Sequence, residues 1–356
     1  MSLVRPFPAR LVRQDHAERL VTATSDSPDE ASAAALRSAA DPAAYDEVPA
    51  ALYGYRQVRD GVPHTAIVCE VAIQAFADGR VRGHEAVQPQ RVEGLVRQHA
   101  TTGERPALVA LLHHAGPAFT AALEAACGTP PLLDFAGPGG LPQAVWRIAD
   151  DTGAVAAELA AADLYVADGH HRVAAALEEW RLGGRPDVAG LLCVVHPMDG
   201  LHLSAFDRRV TGPVEPADLL SLLSRGFEVS SAAGSPAPEP GTIGVYVAGS
   251  WCAVRRRPAD DHGPLLDVEV LQALVFDRLP ELGPGAAPTV EVAAARTSVA
   301  ELTRRCDADG GALFTLAPPP LSALTGLADA GKVMPPKTTY FEPKPCTGIF
   351  LRPAER

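Results

Sequence analysis

Two stretches of this chain bring together residue types that do chemistry in company. The first is Asp168-Gly169-His170-His171-Arg172, which places a carboxylate, two imidazoles and a guanidinium around one glycine. The second is Met334-Pro335-Pro336-Lys337-Thr338-Thr339-Tyr340-Phe341-Glu342-Pro343-Lys344, where cations and hydroxyls crowd among prolines that stiffen the backbone. The apolar run Leu164 to Ala167 predicts a buried strand, and Ala174, Ala175, Ala176 and Leu177 with Glu178 and Glu179 predict a helix. A strand that turns through glycine into a helix points backbone N–H groups and the positive helix end at whatever occupies the turn. Asp168, Gly169, His170, His171 and Arg172 therefore form a candidate anion seat, suited to phosphate, a metal-bound nucleotide or a substrate carboxylate. A plainer reading makes Asp168 a helix cap, although capping would use only one of these groups. Lys337, Thr338 and Lys344 are candidate substrate-gripping residues on a stiff polar loop, with an ordinary surface tail as the alternative.

The surrounding pattern is α/β. ALYGYRQV and HTAIVCEVAIQAF flank Gly61-Val62 and predict a hairpin, ended by Asp78-Gly79. A helix with one apolar side (Val92, Leu95, Val96), the strand ALVALL, a helix over 118–126, the strand AVWRIAD and a short Ala-rich helix lead to the Asp168 turn. The Ala-rich segment 26–44 is predicted helical or mobile. Beyond Gly183-Gly184, LLCVVHP, LHLSAFDRRV, TIGVYVAG and WCAVRRR are β-rich, and SPAPEPG predicts a surface loop. A helix over 265–279 is followed by an alternation of strand and helix. The expected organisation is 1–60 as an N-terminal strand and helical segment, 61–184 as the core, in which a family resemblance implies an insertion near 113–160, and 185–356 as a mixed α/β domain covering the cleft.

Charge and composition narrow the partners. Lys and Arg number 31 against 43 Asp and Glu, a formal charge of −12 over 356 residues, which argues against a general nucleic-acid or anionic-membrane binder. No run approaches the roughly 18 apolar residues of a membrane span. MSLVRPFPARLVRQD lacks the apolar centre of a secretory signal, so a cytoplasmic protein is expected. The scattered Cys69, Cys127, Cys193, Cys252, Cys306 and Cys346 have no zinc-type spacing and read as small buried apolar groups.

At DGHHR and MPPKTTYFEPK, with Arg5-Pro6-Phe7 and His84-Glu85, the chain resembles a bacterial and archaeal family known as domain of unknown function 1015. VTATSDSPDEA and Phe206-Asp207-Arg208 stand where that family usually has Pro-Pro-Tyr-Asp and Thr-His-Arg, which implies a changed substrate, a specialised pathway or lost activity. More distantly, HEAV, RVEGLVRQ and ADGHHRVAAAL are similar to the ParB/sulfiredoxin superfamily, most of all to its free serine kinases and a siderophore-pathway serine kinase. That resemblance implies a ParB/sulfiredoxin-like core. It makes Glu85 the base for a substrate hydroxyl, assigns Asp168 and His170 catalytic roles, and places His84, Gly169, His171 and Arg172 around nucleotide phosphates. ATP or ADP with magnesium, held in part by Asp168, completes the set that phosphoryl transfer asks for. A phosphatase would use much the same residues, and a nucleotide-binding regulator would need no turnover. A hydrolytic metal site at His170-His171 is disfavoured, because neighbouring helical residues project about 100° apart.

Overall fold

Alternation along the strands of the first half decides which side of its sheet the helices cover. The structure, a computed structural model, describes residues 2–24, 41–102, 107–148, 152–184, 189–257, 266–282 and 288–351. Most of the Ala-rich 26–44 segment lies outside these residues. The described chain forms two compact units, Met1–His202 with Ala328–Val333 and Phe341–Arg356, and Leu203–Leu327 with Met334–Tyr340. Both are mixed α/β, the class expected from the sequence.

In the first unit, β1 (Phe7–Val12) and β2 (Tyr45–Arg59) pair antiparallel, and β2 continues through Asp60-Gly61 into β3 (Val62–Ala72). The predicted hairpin is thus present. Its second run ends at Ala72, earlier than expected, because Ile73, Ala75 and Phe76 are buried from a short helix, Ile73–Ala77. After β4 (Val81–Arg82) and α1 (Pro89–Thr102) come β5 (Val109–His113), α2 (Pro117–Cys127), β6 (Pro142–Ile148) and α3 (Thr152–Ala161). Then β7 (Leu164–Asp168) leads into α4 (His170–Leu182), and β8 (Gly190–Pro197) follows. The sheet runs β1-β2-β3-β8-β5-β7-β4, with Phe350–Leu351 beyond β1 and β6 beside β2. The β8–β5 and β4–β7 pairs are parallel, and the remaining ladders along this order are antiparallel.

One face of this sheet presents Ile67, Cys69, Val71, Val109, Leu111, Leu164, Val166, Cys193 and Val195 at every second position. Phe119 and Leu123 of α2, Val155 and Leu159 of α3, and Ala176 of α4 fill it. Each buried aliphatic side chain contributes roughly 1.5–3 kcal/mol of transfer free energy. The opposite face carries Tyr53, Tyr55 and Gln57 beside Ala66, Val68 and Val194, and residues 344–350 pack along it. Gln57 Nε2 donates to the Lys344 carbonyl at 3.1 Å, the Cys346 N–H donates to Tyr55 Oη at 3.3 Å, and Tyr45 Oη donates to the Gly348 carbonyl at 3.0 Å. Phe350 packs on Tyr53 at 5.3 Å. These backbone anchors fix where the Lys344 side chain starts. The six cysteines are free, five of them buried, as their scattered spacing implied.

The second unit has an antiparallel sheet of β9 (Arg208–Thr211), β10 (Phe227–Ala232), β11 (Thr242–Val247), β12 (Ser250–Arg256), β13 (Thr289–Val292) and β14 (Ala312–Thr315), in the order β10-β12-β11-β14-β9-β13. The predicted helix over 265–279 is shorter: Asp267–Leu274 is α-helical, and a 3₁₀ segment, Phe276–Leu282, carries Pro280, whose missing N–H and bulky ring end α-geometry. The helix Val299–Asp309 is capped by Ser298, which accepts from the Glu301 N–H at 3.2 Å, and it ends at Gly310 with φ 73°.

Candidate active site

The apolar strand β7 delivers Asp168 to the sheet end, and Gly169 turns the chain with φ 103°. Two independent constraints require glycine there. L-residues avoid that backbone region, and an added Cβ would lie 3.0 Å from the Arg172 guanidinium carbon. Helix α4 starts at His170 with no side-chain cap, so the plain reading of Asp168 as a cap fails. Its carboxylate is used otherwise: Oδ2 pairs with Arg172 one helical turn on, and Oδ1 lies 2.7 Å from Lys344 Nζ. Arg172 also donates to the Leu108 carbonyl. Burial pushes the Asp168 carboxyl up, but the Lys344 and Arg172 charges outweigh it and hold the group well below the usual carboxylate range. Two cations and one anion leave this cluster a net positive charge beside the positive end of α4.

The two imidazoles fasten a second segment to the same turn. His170 Nε2 accepts the His84 N–H at 3.2 Å, and His171 Nε2 accepts the Gln88 N–H at 3.0 Å. Because His170 Nε2 is an acceptor, its proton sits on Nδ1 when the ring is neutral, and Nδ1 faces Glu85 Oε2 at 3.6 Å. The loop 83–88 is thereby clamped at both ends, with the Glu85 carboxylate between the clamps. Gly83 permits the close approach, since a Cβ there would meet His170 Cδ2 at 3.1 Å. The helix that follows this loop is tied to α4 by His99 Nδ1 and Glu179 Oε1, 2.6 Å apart. Gly83, Gln88, His99 and Glu179 were not candidates from the sequence, because their parts are played by backbone approach and by pairing across helices.

Asp168, Gly169, His170, His171, Arg172, Glu85 and Lys344 thus converge in the first unit. The remaining expected residues are placed differently. The His84 ring is 1% exposed and packs edge-on against His170 at 4.6 Å and near Phe341 at 6.3 Å. Burial, only partly offset by a hydrogen bond with the Val166 backbone, pushes its pKa down to about 4, which keeps the ring neutral near pH 7. Lys337 and Thr338 belong to the second unit, where they line a cavity. A magnesium ion does not fit Asp168 as arranged, because each of its oxygens already faces a cation. Among the described residues no group of three or more His, Cys, Asp or Glu is placed to hold a metal. His113 is buried against Phe119 at 4.3 Å. Among the described residues no helix is long and apolar enough to cross a membrane.

The chain is similar to several solved structures. SbnI with a C-terminal truncation, from Staphylococcus aureus, shares 13% identity over 77% of this chain and 82% of its own, with a TM-score of 0.42. A free serine kinase variant in complex with ADP shares 14% identity over 78% and 87%, with a TM-score of 0.40. A conserved hypothetical protein from Pyrococcus furiosus shares 13% identity over 78% and 90%, with a TM-score of 0.34. No curated protein matches. A family model covers residues 8–274, three-quarters of the chain and the whole Asp168 turn, and on that match the chain belongs to the family described as protein of unknown function (DUF1015).

Proposed function

We propose that this protein is a nucleotide-dependent small-molecule kinase that phosphorylates the hydroxyl of serine or a serine-like amino acid, with ATP or ADP as donor. The observation that carries this reading is the clamped loop: a carboxylate, Glu85, held against His170 at the mouth of a net-positive strand-to-helix turn. Phosphoryl transfer asks a protein for positioning and charge neutralisation above all. Here Lys344, Arg172 and the start of α4 supply the positive field for the nucleotide phosphates. Glu85 takes the proton of the acceptor hydroxyl as its oxygen attacks the terminal phosphorus. The bond from that phosphorus to the bridging oxygen breaks, and the shortened nucleotide leaves with the electron pair. His170 Nδ1–H orients the Glu85 carboxylate, while its Nε2 and that of His171 hold the loop.

Purified protein incubated with ATP or ADP and a panel of hydroxy amino acids, followed by ³¹P NMR, tests the reading. A new phosphomonoester signal that falls 10²- to 10⁴-fold in rate with Glu85→Gln is expected, the usual range for a lost general base. Full turnover in Glu85→Gln removes that residue from the mechanism, and absence of nucleotide binding removes the kinase. The ion pairs already closed around Asp168 favour one second reading, a regulator that binds nucleotide without turnover. Binding without product distinguishes it.

A further inference from the structure

We propose that the second unit carries its own binding site for a small organic anion, a carboxylate or phosphate attached to a compact apolar body. The site is a cavity of about 300 Å³ bounded by Phe206, Arg208, Arg256, Leu266, Lys337 and Thr338, with the Leu316–Pro320 run along one wall. Its volume is at the low end for ligand pockets, which suits a molecule of amino-acid size.

Arg208 carries the argument. It is 5% exposed, and its guanidinium donates to two backbone carbonyls, Phe206 O at 2.8 Å and Lys337 O at 2.8 Å. Among the described residues no carboxylate lies within ion-pair distance of it. Burial pushes its pKa down to about 10, opposed by the neighbouring Asp207, so it remains charged at neutral pH. Asp207 is a weak counter-charge: its Oδ1 accepts the Leu316 N–H at 3.1 Å, and burial pushes that carboxyl up. A buried guanidinium whose direct partners are carbonyls is costly unless an anion completes it.

The rest of the lining agrees. Among the described residues Arg256 and Lys337 add positive charge, against one lining carboxylate, Asp267, whose Oδ2 is engaged by the Gly241 N–H at 2.9 Å. Lys337 Nζ stands 5.4 Å over the Phe206 ring, on a backbone with φ 57°, a conformation that non-glycine residues seldom keep without a local reason. Phe206, Leu266, Val268 and Leu316 offer apolar walls. Such a site selects an anionic head by its cations and a short apolar body by its walls. This site stands independently of the nucleotide reading of the first unit.

Calorimetric titration of the full chain at fixed ionic strength with phenyl phosphate, benzoate and neutral benzyl alcohol tests this site. One-to-one binding of at least one anion, with benzyl alcohol inert, is expected, and the tighter anion names the head group. Arg208→Gln and the more exposed Lys337→Gln should each weaken it at least tenfold, while Lys344→Met leaves it unchanged. Binding of neither anion, equal binding of benzyl alcohol, or full affinity in a folded Lys337→Gln protein overturns the site. Loss in Lys344→Met alone places the anion at the Asp168 turn and overturns it too.

Discussion

Replacing Lys344 by Met keeps most of the side-chain volume and removes one of the two cations on Asp168. Lys344 Nζ lies 2.7 Å from Oδ1, with the two side chains 17% and 13% exposed. Unit charges at that separation attract by about 6 kcal/mol at an effective dielectric of 20. Most of that is offset by lost hydration, and a charge-assisted hydrogen bond of this kind nets about 1.5–3 kcal/mol. Lys344→Met should therefore cost about 2 kcal/mol, or roughly 4–8 °C in Tm. The same change in an Asp168→Asn background should cost less than about 0.5 kcal/mol, because the partner charge is already gone. The pH dependence has a definite sign. A carboxyl held below its unfolded value contributes stability that is complete above about pH 4 and lost as pH falls through its lower folded value. The Lys344→Met deficit, followed by urea unfolding, should shrink from pH 4 downward. An equal deficit in both backgrounds, or one unchanged down to pH 2, refutes the assigned pairing.

Gly169→Ala should destabilise by about 1–2 kcal/mol and weaken nucleotide binding, since it strains φ 103° and presses on Arg172; a wild-type melting curve contradicts that. His171→Phe should speed hydrogen exchange at the Gln88 amide, whose acceptor it removes, and unchanged exchange there would dissolve the clamp. His84, His113 and His196 are buried neutral, with burial pushing their pKa values to about 4, 4 and 3. Unfolding therefore takes up protons below about pH 6.5, and stability should fall from there toward pH 4, with a shallower slope in His113→Phe. An identical slope in that variant counts against the assignment.

The Asp168 turn was legible because everything that makes it is local: an apolar run, one glycine, four helix formers in a row. Its completion was not. Lys344 reaches Asp168 because Gln57, Tyr55 and Tyr45 hold residues 344–348 across their face of the sheet, and no local pattern encodes that. The imidazoles of His170 and His171 belong by residue type to the anion seat, whereas folded they accept the His84 and Gln88 N–H groups, and His170 Nδ1 faces Glu85. LHLSAFDRRV read as one β-run, yet it breaks at 205–207, where Phe206 borders the cavity and Asp207 accepts from Leu316. The helix over 265–279 was overextended because its apolar spacing continues past the point where Pro280 forbids α-geometry.

Hydrogen–deuterium exchange with and without ADP, resolved over residues 164–182, tests the phosphate seat most directly. The turn and first helical turn, residues 168–173, should exchange more slowly with ADP present, and this protection should weaken about tenfold in ADP affinity with Lys344→Met. No protection by saturating ADP, or protection confined to segments away from residues 83–88 and 168–173, contradicts the account.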